Sequence, residues 1–109
     1  MDKVLFNNSD KPEYILCAAV WFNDGIKHEH QPNNIKSGYV VCGQRHHNCF
    51  NTLSIITDKN LKEMNFGKCI LGFLTSKNIF LNREKSGILA FKIKQINKPT
   101  KCLFSEDLY

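Results

Sequence analysis

Arginine is scarce in this chain: only Arg45 and Arg83 interrupt an otherwise all-lysine set of fifteen basic residues. Long apolar runs are also missing. Nothing approaches the roughly 18 to 20 consecutive residues of a membrane span, and the opening MDKVLFNNSDKPEY has no basic region followed by a long apolar stretch. These absences point away from a membrane span and a secretory leader, and the expectation is a soluble cytoplasmic protein. Five cysteines, at 17, 42, 49, 69 and 102, are odd in number and include no CxxC pair, which speaks against a secreted disulfide framework and for reduced thiols. No internal repeat, low-complexity tract, Walker loop, paired-carboxylate arrangement or Ser/His/Asp order is recognisable.

What is present fits one folded domain. The 109 residues are 42% hydrophobic and 23% charged, ordinary values for a globular chain of this size, and the mean hydropathy is −0.33. A net charge of +5 and a pI near 9.0 favour anionic partners, although spaced lysines serve solubility equally well. Because the lysines are dispersed and form no contiguous stripe, a small nucleotide fits better than polymeric nucleic acid.

Residues 1–12 are polar, end in Lys11-Pro12 and read as an N-terminal arm; residues 13–109 read as a single domain. The run YILCAAVWF (14–22) is apolar on both alternating faces, as in a central strand. Asp24-Gly25 is a hairpin signal that predicts an antiparallel return over IKHEH (26–30). After a loop, YVVC (39–42) is a short buried strand. From Arg45 onward, Cys49, Phe50, Leu53 and Ile56 form the stripe of an amphipathic helix with Arg45, His46 and His47 in its first turn. TDKNLKEMNFGK (57–68) is a polar connection. CILGFLTS (69–76) is a strand in which Gly72 predicts a bulge or a close approach, and KNIF (77–80) is a turn. Asn82 is an N-cap candidate for a second helix, with Ile88, Leu89, Ile93 and Ile96 on one face and Asn97 and Pro99 as its stop. The tail CLFSEDLY is apolar enough to dock on the body or on a neighbouring subunit. The fold class expected is α+β, or small α/β: one antiparallel-containing sheet with two amphipathic helices against it.

Three chemistries compete at GQRHHNCF (43–50). Zinc could draw on Cys42, His46, His47, Cys49, His28 and His30, but the spacing matches no ribbon or finger, and adjacent helical histidines diverge by about 100°. A cysteine nucleophile near a helix start is the second; yet Cys49 lies on the apolar stripe and Cys42 ends a buried strand. Anion recognition is the third: Arg45 and Arg83 each sit at a helix start, where unpaired N–H groups and the helix dipole add to a forked guanidinium. The competing structural explanation is that both arginines form ion pairs, with Glu106 or Asp107 of the tail. Phe73, Phe80 and Phe104 are aromatic candidates for stacking on a base.

GQRHHNCF, GFLTSKNIFLNREKSGILAFKIKQI and the closing LFSEDLY occur in an order that resembles small phage proteins, most of all the Thoeris anti-defence signal sponges. The likeness covers roughly residues 38–109. The chain departs from that pattern at Ser86-Gly87 and Lys94-Gln95. The resemblance implies a non-enzymatic protein without cofactor or metal, which sequesters cyclic ADP-ribose-type signals, and in some cases cyclic oligonucleotides, in the cytoplasm of an infected bacterial host. It further implies dimers or trimers of dimers with ligand pockets between subunits. The matching positions are Arg45, His46, His47, Phe73, Phe80, Asn82 and Arg83, with Ser105 and Glu106 in the terminal motif. The alternatives from other classes are a nucleotide-processing enzyme using His46 or His47 as acid or base, and a protein-interaction module acting on a host factor.

Overall fold

The computed structural model describes residues 11–57 and 69–109; most of the N-terminal arm and nearly all of the polar connection fall outside them. Four strands, β1 (Ile15–Phe22), β2 (Tyr39–Gly43), β3 (Cys69–Thr75) and β4 (Phe80–Asn82), form one sheet of order β2-β1-β3-β4, every pair antiparallel. Two helices, α1 (His46–Thr57) and α2 (Arg83–Lys92), pack on it, giving the α+β architecture. No helix among the described residues is long and apolar enough to cross a membrane.

The apolar run at 15–22 fills the interior strand. Ala18, Ala19 and Val20 have no exposed surface, and β1 is flanked by β2 and β3, with Val20 opposite both Val41 and Leu71. Ala18, Val20, Val41 and Phe73 meet Cys49 and Leu53 of α1, Ala90 of α2 and Leu103 of the tail in one core.

The Asp24-Gly25 hairpin does not form. Gly25 takes the expected positive φ of 79°, but residues 26–30 make no strand; Lys27 contributes only an isolated bridge to Gly38. The partner of β1 is β2, reached through a long loop whose Asn34 side chain donates to and accepts from the backbone of Phe80, at 2.6 and 2.9 Å. Local turn chemistry lost to the more apolar YVVCG, which can bury its side chains where IKHEH cannot. Asn34 thereby stands in for a fifth strand at an edge of the sheet. Gln95 does the same at Ile15, accepting from its N–H at 2.8 Å and donating to its carbonyl at 3.0 Å.

The expected turn at 77–80 is tighter than anticipated, so Phe80 already belongs to β4. Gly72 makes the predicted close approach: a Cβ there would lie 2.0 Å from the carbonyl oxygen of Leu81, so only glycine lets β4 sit so near. The second helix also differs from expectation. It stops at Lys92 rather than near Asn97, with Lys94 at φ 66°. Its buried face is Ser86, Gly87 and Ala90, while Ile88 is 63% exposed. Small residues are needed because the backbone of Thr100 crosses the helix: a Cβ on Gly87 would fall 2.6 Å from the Thr100 carbonyl. On α1, Cys49 and Leu53 are buried as expected, but Ile56 remains exposed.

Candidate functional site

Both helix starts meet the tail. Arg45 is not in the first turn of α1 but one residue before it, where its carbonyl accepts from the N–H groups of Asn48 and Cys49. Asn48 reaches back to accept from the Arg45 N–H at 3.0 Å, which is half of a capping box with the N-cap oxygen absent. Asn82 caps α2 as expected, its side chain accepting from the Lys85 N–H at 2.8 Å. Arg83 therefore occupies the first helical position, at the positive end of the dipole.

The docked tail lies across these starts because Leu103 is fully buried and its N–H donates to the Arg83 carbonyl at 3.2 Å. A short 3₁₀ turn, Ser105–Asp107, follows. Arg45 donates to Ser105 Oγ at 3.3 Å and to the Tyr109 carbonyl at 2.5 Å, lies over the Tyr109 ring at 5.0 Å, and stands 4.0 Å from Glu106. The Tyr109 hydroxyl donates to the Gln44 carbonyl at 2.5 Å. Three hydrogen bonds and a ring face thus bind the tail to the start of α1.

Arg83 has different surroundings. Its Nη2 donates to His46 Nδ1 at 3.3 Å, its Nη1 faces the Cys102 sulfur at 3.9 Å, and its guanidinium lies 4.8 Å from the centre of the Phe104 ring. Its Nε is buried with no hydrogen-bond partner, and among the described residues no carboxylate lies within 4.0 Å of it. A half-buried cation without a counter-charge is costly unless an anion completes it.

His46 links the two halves. It is buried, its Nε2 lies 2.8 Å from the Gly72 carbonyl, and its ring meets Phe73 edge-on at 5.1 Å. A carbonyl can only accept and a guanidinium can only donate, so Nε2 carries the proton, Nδ1 is bare and the ring is neutral. Burial, aided by the Arg83 charge and opposed by the Gly72 carbonyl, holds its pKa below 6.5. With both nitrogens engaged, His46 serves as a positioning group for Arg83 and has no free nitrogen for acid–base work.

The other expected site residues are dispersed around this cluster. His47 is exposed on the outer side of α1. Phe73 is wholly buried and Phe80 is 5% exposed, packed against Trp21; neither presents a free ring face within one chain, because both supply the sheet's own packing. Phe104, 46% exposed, is the aromatic beside Arg83. Ser105 is buried, and Glu106 is ionised readily, its pKa lowered by its own backbone N–H, by Arg45 and by Ser105. The sequence reading did not identify Tyr109 and Cys102 as neighbours of the arginines, since nothing local says where a tail lands. Among the described residues no group of three or more His, Cys, Asp or Glu side chains converges on a possible metal position. The Cys49 thiol is pushed up to about 11 by burial, as suits a core residue.

The larger clefts lie elsewhere: one of ≈ 580 Å³ between β2, α1 and residues 28–31, and one of ≈ 390 Å³ at Gln95–Thr100. Neither is lined by an arginine, and the charge argument favours the Arg83 cluster over these clefts. Comparison with curated proteins and with solved structures finds no match. A family model described as Phage T4 y16D protein matches residues 14–109, all but the first thirteen positions, and the chain belongs to that family.

Proposed function

We propose that this protein binds a small anionic nucleotide at the Arg83 cluster and holds it without cleaving it, as a sponge for a cyclic ADP-ribose-type or cyclic oligonucleotide signal. The observation that carries the reading is the half-buried Arg83 guanidinium at the start of α2, with a bare Nε and no carboxylate within 4.0 Å among the described residues. A diphosphate oxygen would supply the missing charge and acceptor, the α2 N-terminus would add to its field, and the Phe104 face would accept a base. Membership of a phage protein family supports a setting inside an infected bacterium. Neutral His46, locked between Gly72 and Arg83, supports retention over turnover.

The Phe104 ring beside Arg83 is 46% exposed, and the Tyr109 ring at the neighbouring helix start is 45% exposed. A second copy covering these rings would enclose the ligand, so a homo-oligomer is part of the proposal.

The test is to incubate the protein with pyrophosphate, cyclic ADP-ribose and cyclic dinucleotides, follow the melting temperature and heat of binding, then denature it and analyse the released ligand. Binding with return of intact ligand is expected, and Arg83→Ala should weaken it at least tenfold. Release of a converted nucleotide would establish an enzyme, and absence of any thermal shift would favour a protein-interaction module, because a native-state ligand must stabilise the fold.

A further inference from the structure

β2 is an outer strand of the sheet, and its free edge is only half closed. The Val40 N–H donates to the Gln31 side chain at 2.8 Å, so the backbone of Val40 points away from β1. Backbone direction alternates along a strand. Cys42 is therefore the next residue facing outward, and its N–H and C=O meet no partner among the described residues. Its side chain is exposed as well. Over the same edge, Thr52 and Ile56 of α1 form one wall of the ≈ 580 Å³ cleft. Ile56 is 56% exposed, and Ile55 beside it is 79% exposed.

We infer that this edge is the contact with a second copy of the chain, in which the two β2 strands pair antiparallel about a two-fold axis at Cys42 and the two α1 helices lie side by side. The charge distribution selects that partner. β2 and α1 together hold no Lys, Arg, Asp or Glu, in a chain that is 23% charged and carries a net charge of +5. Two copies repel through their lysine-bearing surfaces, whereas the centre of an interface is depleted of charge. This edge brings the copies together without that repulsion.

The geometry is self-complementary. On the axis each Cys42 N–H donates to the other Cys42 carbonyl, while Gln31, still on Val40, stops the pairing from running on toward Tyr39 and so sets the register. Such an axis stands normal to the sheet, so both helices remain on one side of it, each already packed on β2 and β1. A short strand pair alone falls short of the roughly 800 Å² that each partner buries in a stable dimer. The helix pair has to supply the remainder, and Ile55 and Ile56 are the apolar side chains there to be covered. The contact shares no residue with the Arg83 cluster and stands whether or not a nucleotide binds there.

The test weighs the folded full chain by light scattering at stepped concentrations and maps its cross-links. Wild type is expected to be a dimer at about 100 µM. In a hydrogen-bonded antiparallel pair the Cα atoms lie about 5.5 Å apart, inside the roughly 4.4–6.8 Å that a disulfide spans. Brief oxidation should therefore give a covalent dimer in which the tryptic peptide 37–45 is linked to itself. Cys42→Ser should abolish that link and leave the light-scattering mass unchanged. Ile56→Lys, at an exposed position, should raise the dimer dissociation constant roughly tenfold or more by setting like charges against each other, with the circular dichroism of the chain unchanged. A monomer at every concentration would leave the edge to a different polypeptide and overturn the inference. A dimer linked through the exposed Cys102, or one that Ile56→Lys leaves intact, would overturn it too. An oligomer held instead at Phe104 or Tyr109 would survive Ile56→Lys, so this variant separates the edge contact from the enclosure proposed at Arg83.

Discussion

The two helix starts use the same residue type to opposite ends. At α1, Arg45 spends its donors on the protein: Ser105, the Tyr109 carbonyl and, at longer range, Glu106. At α2, Arg83 finds a histidine nitrogen, a sulfur and a ring, and keeps a buried Nε bare. The first guanidinium is a clamp for the tail and the second keeps an unfilled donor. An arginine at a helix start is thus no evidence of ligand binding by itself; what matters is whether the fold has already supplied its acceptors.

The contrast is broken most severely by Gly72→Ala. The added methyl meets the Leu81 carbonyl at 2.0 Å, so β4 must move away from β3, taking the Asn82 cap and Arg83 with it while the α1 start remains on β2. A loss of about 3 kcal/mol is expected in urea denaturation, together with loss of nucleotide binding. Next in size is the direct comparison of the arginines. Arg45→Ala should cost about 1.5–3 kcal/mol, because charge-assisted hydrogen bonds to the tail disappear. Arg83→Ala should stay within about 0.5 kcal/mol of wild type, since an unsatisfied buried group goes with it, yet it should remove binding. Equal stability losses in the two variants would erase the distinction.

The smallest effect is a pH dependence from His46. Its folded pKa lies below the ordinary 6.5, so the unfolded chain takes up the proton first. The stability associated with neutral His46 is complete above about 6.5 and declines as pH falls from there toward the folded pKa. Protonated His46 could no longer accept from Arg83, so nucleotide affinity should change over the same interval. Denaturation curves at stepped pH for wild type and His46→Gln would show it: the difference between them should narrow as the solution is acidified. Parallel curves would mean that His46 is not the titrating link.

Much of the architecture was legible from pattern. The all-apolar 15–22 run announced an interior strand, Gly72 announced a close approach, and Asn82 announced its cap. Errors came where pattern and packing diverged. Asp24-Gly25 had correct turn chemistry but a polar return segment with nothing to bury, so β1 took a distant partner. Ile88 fits a helical stripe, yet α2 buries Ser86, Gly87 and Ala90 because a strand on one side and the Thr100 backbone on the other leave no room for larger side chains.

The sequence by itself determined the interior strand, both helices and the placement of both arginines at helix starts, because periodicity, caps and glycines act within a few residues. Only the tertiary structure decided which arginine is occupied and which is left incomplete. That depends on where the buried Leu103 anchors the tail, and on His46 meeting Gly72 and Arg83 at once, contacts between residues far apart in the chain whose energies no local pattern encodes.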